Sequence, residues 1–122
     1  MKIVIHSIAD RGIANKERLA LRVTSDTTLS YYVILDTAYI TPNSIQTVPK
    51  NVFWFPPKPV KAGEWVLLYT RPATTTDLVE KILDDGTTAH IFYWGQPNVL
   101  WRQTGNCAVV LELSDWVTTP FQ

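Results

Sequence analysis

Short runs of β-branched and aromatic residues recur along this chain and are separated by prolines, glycines and polar residues. The run ERLALRVTSD alternates, with Leu19, Leu21 and Val23 on one parity, which is the period-two pattern of a half-buried strand. The run TLSYYVILDTAYI is apolar on both parities, as in a strand that is covered on both faces or bends partway. This pattern restricts the fold to strands of modest length joined by turns.

Further runs of strand composition bring the expected total to about seven or eight short strands. These runs are KIVIHSI, SIQTVP, VFWF, EWVLLYT, HIFYWG and CAVVLEL. Prolines stand where the strands should end, most densely in FPPKPVKAGEW, because proline cannot donate a hydrogen bond to a ladder. The pattern predicts an all-β fold, either a sandwich or a barrel.

One segment, TTTDLVEKILDDG, departs from the β pattern. Asp77 and Glu80 have the spacing of a capping box, apolar residues follow at helical spacing, and Gly86 supplies a stop signal. We therefore expect one short helical insertion near residues 77–85.

Length and charge limit the classes of function. The 122 residues fit a single domain, residues 1–122. Eleven basic and eleven acidic residues give no net charge, so binding to nucleic acid would need a local basic patch. A net charge of zero also favours self-association mildly, because it removes the repulsion between copies.

Cysteine and apolar content indicate the compartment. Cys107 is the only cysteine, so no intrachain disulfide can form, and there is no cysteine or histidine tract to bind zinc. The start, MKIVIHSIADRG, has too few consecutive apolar residues for a signal peptide. No apolar run approaches the roughly 20 residues that span a bilayer. We expect a cytoplasmic protein with no metal, no cofactor and no membrane insertion.

Three segments, in order, resemble the lamin tail domain family. TLSYYVILD is similar to an early family strand, VFWFPPKPVKAGEWVLLYT to its Phe-x-Phe strand, turn and following strand, and FYWGQPNVLWRQTGNCAVVLEL to its Tyr-Trp-Gly, Trp and final hairpin. The resemblance extends from about Glu17 to Leu113 and implies an immunoglobulin-like β-sandwich. It also implies a non-enzymatic function, because lamin tail domains bind or anchor proteins, DNA or chromatin.

Three features depart from the family pattern. The hairpin turn holds Gln103 to Asn106 where the family has acidic residues, Tyr32 stands where a tryptophan is expected, and the expected helix around Leu78 to Leu83 is an insertion relative to a short loop. The aromatic residues around Trp94 and Trp101 are expected to fill the space between sheets, and the alternative is a partly exposed cluster that stacks on a ligand.

The first functional hypothesis is a stand-alone interaction module. Its ligand would be another macromolecule, most simply a protein, bound through a sheet face or an edge strand. The candidate partner-binding residues are Trp54, Trp116 and Tyr32 as exposed aromatic residues, with Lys58 and Lys61 at the rim.

A second hypothesis is a single-stranded nucleic-acid binder. Phe53, Trp54 and Tyr93 would stack on bases, and lysines interleave with aromatic residues near the first two.

A third hypothesis is a small hydrolase. It would use His90 with Asp84 or Asp85, although the chain contains none of the common catalytic motifs. His6 and His90 both stand among apolar residues, where a structural role is the simpler explanation. Cys107, in an apolar strand, reads as a small core residue rather than a reactive thiol.

Overall fold

The computed structural model describes all residues from 1 to 122 and is all-β. The strands are β1 Ile3–Ala9, β2 Arg18–Val23, β3 Thr27–Thr28, β4 Tyr32–Thr41, β5 Ser44–Ile45, β6 Asn51–Trp54, β7 Pro59–Val60, β8 Trp65–Tyr69, β9 Glu80–Ile82, β10 Thr88–Tyr93 and β11 Asn106–Glu112. A single 3₁₀ turn, Leu29–Tyr31, is the only helical element. No helix in the structure could span a lipid bilayer.

The strands form two main sheets. The larger sheet has the order β1-β2-β8-β10-β9, in which β8 and β10 are parallel and the other neighbours antiparallel. In the smaller sheet, β11 pairs with one side of β4, while β6 and β5 pair with the other side. Strands β3 and β7 form a separate two-stranded pair.

The eight runs of strand composition each contain one strand. The three further strands, β3, β7 and β9, are pairings of two or three residues. Such short pairings carry too few side chains to show a period-two pattern, so composition does not reveal them.

The two main sheets enclose one hydrophobic core. Leu19 and Leu68 from the larger sheet pack in the same cluster as Tyr32 and Ile34 from the smaller sheet. Trp101 is completely buried in this cluster, and Trp94 packs against it edge-on with ring centroids 5.9 Å apart. Packed sheets around a shared core are the arrangement of a β-sandwich, and these two tryptophans fill it from the loop that precedes β11.

A buried carboxylate, that of Glu17, joins the loops at one end of the sheets. One carboxylate oxygen accepts hydrogen bonds of 2.8 Å from the Thr70 hydroxyl and the Leu100 amide. The other accepts bonds from the amides of Gly12 and Trp101, at 2.8 and 3.2 Å. Because Glu17 is only 1% exposed, these bonds replace the water that its charge would otherwise require.

The prediction of a helix near residues 77–85 is wrong. Glu80–Ile82 form the edge strand β9, which pairs antiparallel with Thr88–His90 of β10. A helix of this length is marginal without packing on one face, whereas the edge of β10 offers backbone hydrogen bonds. The carboxylate of Asp77 binds Arg71 and the Thr74 amide, so it does not act as a helix cap.

We predict that Glu17→Gln lowers the free energy of unfolding by about 2–4 kcal/mol, because either orientation of the amide turns its NH₂ group toward two buried donors. Urea denaturation measures the change. Glu112→Gln is the matched control, since Glu112 is exposed and accepts one bond from the rotatable Tyr32 hydroxyl. Losses of no more than about 0.5 kcal/mol in both variants, as is usual for surface positions, would contradict this role of Glu17.

Candidate functional site

Three aromatic side chains form a contiguous cluster at one end of the smaller sheet. Trp116 lies edge-on to Trp54 with ring centroids 5.1 Å apart, and edge-on to Tyr31 with centroids 5.7 Å apart. Trp54, Trp116 and Tyr31 are 47%, 41% and 44% exposed. We call these three residues the aromatic cluster.

Strand alternation and a folded-back tail build the aromatic cluster. Phe53 of β6 packs against the core, so its neighbour Trp54 points to the opposite, outer face of the sheet. After β11, the Leu113 amide donates to the Tyr31 carbonyl at 2.7 Å, which directs the following residues back across the sheet. Trp116 therefore reaches Trp54 although it lies beyond the last strand.

The indole of Trp54 is already hydrogen-bonded within the protein. Its Nε1 donates to the Ser30 carbonyl at 2.8 Å, which fixes the ring at the edge of the sheet. The cluster therefore offers ring faces and edges to a partner, and not the indole N–H of Trp54.

The outer face of the smaller sheet continues the aromatic cluster with apolar residues. The side chains of Tyr32 and Ile34 point into the core, so the alternate residues of β4 point outward, and the strand register places residues of β6 and β11 beside them. These outward positions are Val33, Leu35, Thr37 and Tyr39 of β4, Val52 and Trp54 of β6, and Cys107, Val109 and Leu111 of β11. Neighbouring residues bury Val33, Thr37 and Cys107, and the others are at least partly exposed. None of these outward residues is charged, and we call this surface the uncharged face.

The structure brings together two of the predicted partner-binding residues and separates the third. Trp54 and Trp116 are in contact and half-exposed. The expectation that Tyr32 is exposed is wrong, because it is 1% exposed and belongs to the core, with its hydroxyl donating to Glu112 at 3.0 Å. Burial raises the pKa of Tyr32. Its neighbour Tyr31 is the exposed residue of the pair.

The two lysines do not contact the aromatic cluster. The Lys58 ammonium lies 3.8 Å from a Glu80 carboxylate oxygen and 6.0 Å from the Phe92 ring centroid, beside β9 and β10. Lys61 lies in the turn before β8, where its amide donates to Glu64. The structure shows no contact between these lysines and the tryptophans, and their role as a rim stays a prediction.

The nucleic-acid groove built from Phe53, Trp54 and Tyr93 is not formed. Phe53 lies in an internal aromatic group, 5.1 Å from Phe55 and 5.9 Å from Trp94 between ring centroids. Tyr93 belongs to the larger sheet, and Trp54 to the outer face of the smaller one. Alternation along β6 explains the difference, because adjacent residues of one strand point to opposite faces.

The outer face of the larger sheet carries a second surface that the sequence analysis did not identify. The guanidinium of Arg22 lies 4.7 Å from the Trp65 ring centroid, and that of Arg18 lies 5.6 Å from the Tyr69 ring centroid. Both pairs follow from the antiparallel register of β2 and β8, which sets Arg22 opposite Trp65 and Arg18 opposite Tyr69. The equal four-residue spacing in the two strands is the sequence signal for this surface.

Arg71 extends the second surface. Its guanidinium lies 5.2 Å from the Tyr69 ring centroid and 4.8 Å from that of Tyr93, and the two tyrosine rings are stacked. Two hydrogen bonds of 2.7 and 2.8 Å join Arg71 to the Asp77 carboxylate. These bonds hold the pKa of Asp77 well below its ordinary value, and the pKa of Arg71 is raised by the same pairing. Arg18, Arg22, Trp65, Tyr69, Arg71 and Tyr93 together form the arginine–aromatic face.

His90 is buried between two glutamates. Its Nε2 lies 2.9 Å from Glu64 and its Nδ1 lies 3.3 Å from Glu80, and the residue is 4% exposed. The carboxylates beside His90 are therefore those of Glu64 and Glu80, and the pairing with Asp84 or Asp85 that a hydrolase would use is not formed. No cavity in the structure is lined by His90.

The His90 contact alters its partner carboxylate. Burial acts to raise the pKa of Glu64, but hydrogen bonds from His90 and from the Lys61 amide lower it overall. No group of three or more His, Cys, Asp and Glu side chains is placed to hold a metal ion. Cys107 is buried, and burial raises the pKa of its thiol.

No model of a known protein family matches this chain, and no curated protein matches its sequence.

We predict that Asp77→Asn lowers the melting temperature at neutral pH, because it breaks the paired bonds to Arg71. The folded pKa of Asp77 lies below the ordinary 3.8, so its contribution is complete above about pH 4 and is lost as the pH falls through the folded pKa. Thermal melts of both proteins across acidic pH measure the gap, which should close only in strong acid. Asp84→Asn, at an exposed turn, is the control. A gap that is already absent at neutral pH would contradict the pairing.

Proposed function

We propose that the chain is an immunoglobulin-like β-sandwich of the lamin tail type. The three segments that carry the resemblance fold into consecutive parts of the sandwich: β3 and β4, β6 to β8, and β10 to β11. They contribute strands to both main sheets and the completely buried Trp101. This distribution supports a resemblance that extends through the core and not only through one hairpin.

We further propose that the protein is a non-enzymatic interaction or anchoring module of the cytoplasm. In this proposal, its partner is a protein that docks on the uncharged face and the aromatic cluster. The observation that carries the proposal is the contiguity of three half-exposed aromatic rings with an uncharged sheet face. Binding-site centres in proteins are depleted in charged residues and enriched in tryptophan and tyrosine, as this surface is.

Exposure of the apolar residues supports this choice of surface. Val52 at 54% and Leu111 at 40% are accessible beside the half-exposed tryptophans. Scattered apolar residues are normal on a surface, but contiguous ones cost free energy in water unless a partner covers them. A complementary partner would present aliphatic or aromatic side chains, because the surface lacks charges to pair with.

A second candidate is binding of single-stranded nucleic acid on the arginine–aromatic face. Interleaved arginines and rings could stack on bases and contact phosphates. However, Arg18 is paired with Asp10 at 2.7 Å and Arg71 with Asp77, so Arg22 is the one arginine of this face without an acidic partner. Paired arginines add little to the attraction of phosphates, so this candidate ranks second.

We predict that Trp54→Ala and Trp116→Ala each weaken binding of the partner by about thirtyfold or more, as expected when an aromatic hot-spot residue is removed. The partner is first identified by crosslinking and affinity capture from cell lysate at low and moderate salt, and its affinity is then measured by calorimetry. Tyr69→Ala, on the opposite sheet, is the matched control, and circular dichroism verifies that all variants are folded.

The outcomes separate the two candidates. A partner protein whose affinity falls in both tryptophan variants and not in Tyr69→Ala supports docking on the uncharged face. Unchanged affinity in both tryptophan variants refutes that docking site. Recovery of nucleic acid that is released by added salt and by Arg22→Ala supports the second candidate instead.

A further inference from the structure

The outer edges of the two main sheets are not equally protected against pairing with another strand. At the edges of the larger sheet, β9 has three residues, and β1 carries an irregularity between Ile5 and Ser7. At one edge of the smaller sheet, β6 has four residues and is bracketed by Pro49 and Pro56. Short strands, bulges and prolines are the usual devices that prevent edge-to-edge association.

Strand β11, at the other edge of the smaller sheet, has none of these devices. Its seven residues, Asn106–Glu112, pair with β4 without a register shift and pair with no strand on their other side. The strand contains no proline, glycine or lysine, and its central residues are apolar. An edge of this kind is a template for an added strand.

The register shows which backbone groups are free on that edge. The Tyr39 amide donates to the Gly105 carbonyl and the Leu113 amide donates to the Tyr31 carbonyl, so the odd-numbered residues direct their backbone groups toward β4. The even-numbered residues therefore direct theirs outward. Those within the strand and without a backbone partner are Ala108, Val110 and Glu112.

The two ends of the open edge carry opposite charges. At one end, the Arg11 guanidinium donates to the Asn106 carbonyl at 2.7 Å, and the Asn106 amide donates to Gln103. At the other end stands Glu112, which is exposed and uses one carboxylate oxygen for the Tyr32 hydroxyl. The remaining oxygen is free for a cation. An antiparallel copy of the same edge would match these charges at both ends.

We propose that β11 pairs antiparallel with β11 of a second copy of this chain across a two-fold axis. Val110 of one copy lies opposite Val110 of the other, and Ala108 lies opposite Glu112, so all three free residues of each edge form backbone hydrogen bonds. Each Glu112 is then diagonal to the position of Asn106 and Arg11 in the other copy. Long side chains reach such diagonal neighbours across a strand pair.

The packing around β11 also fits a second copy. Ala108 and Val110 pack against the core but stay partly exposed. An added strand covers the apolar atoms that the open edge leaves in water. The lack of net charge removes long-range repulsion between the two copies.

The proposed dimer changes the presentation of the uncharged face. The axis of an antiparallel strand pair is perpendicular to the sheet, so both copies present this face on the same side of one continuous sheet. Two aromatic clusters would then face one partner surface, and bivalent binding strengthens attachment without new contacts. The self-association itself does not depend on the proposed function of that face.

Sedimentation of the 122-residue chain across a dilution series, in reductant, tests the proposal. The wild type should move from the 13.9 kDa mass of one chain toward twice that mass as concentration rises. Val110→Pro removes an outward N–H and no hydrogen bond to β4, and should weaken the dimer about thirtyfold because both copies lose a bond. Val117→Pro, in the tail where Val117 is 93% exposed, is the matched control and should dimerise like the wild type.

Amide hydrogen exchange on the wild type provides a measurement that does not depend on any variant folding. The amides of Ala108, Val110 and Glu112 should be protected at high protein concentration and exchange freely in dilute solution. A single-chain mass at every concentration would overturn the proposal. So would a dimer that is unaffected by Val110→Pro, or one in which these three amides exchange equally fast at all concentrations.

Discussion

The carboxylate of Glu17 is the interaction on which the rest of the sandwich depends. It accepts hydrogen bonds from three loop amides and one hydroxyl, and so joins the loop after β1, the end of β8 and the loop that carries Trp101. Burying a carboxylate costs free energy unless its oxygens accept hydrogen bonds, so few other arrangements of these loops would be stable. Gly12, whose amide donates one of these bonds, also lies close to the loop that carries Trp101. Its φ is +76°, and a Cβ at this position would lie 3.3 Å from the Arg102 Cα.

Fixing these loops positions both outer faces of the sandwich. Trp101 enters the core from the loop held by Glu17, and the chain then continues into β11, which aligns the uncharged face. On the other sheet, the register of β2 and β8 aligns arginines with rings, so each ring face is covered by a guanidinium. The two outer faces therefore differ in character: one is uncharged, while the other carries arginines, of which Arg18 and Arg71 are paired with carboxylates and Arg22 is not.

Composition predicted eight of the eleven strands, because β-branched and aromatic runs ended at prolines, glycines and polar residues. The predictions from composition failed where the local sequence pattern and the tertiary contacts favour different structures. The segment that contains Asp77 has a helical pattern, but the free edge of β10 and the Arg71 guanidinium offered stronger partners. Tyr31 and Tyr32 are adjacent tyrosines, and the sequence does not show that the first ends the 3₁₀ turn at the surface while the second begins β4 with its side chain in the core. The role of Glu17 is not visible from sequence, since a charged residue beside a strand is typically exposed.

Oxidative footprinting of the five tryptophans, with and without the captured partner, tests the central claim that the uncharged face is the docking surface. Trp54 and Trp116 are accessible in the free protein, and Trp101 is not. If the partner docks on the uncharged face, it protects Trp54 and Trp116 from oxidation and leaves Trp65 of the larger sheet unchanged. Protection of Trp65 alone, with Trp54 and Trp116 oxidised as in the free protein, would contradict the claim.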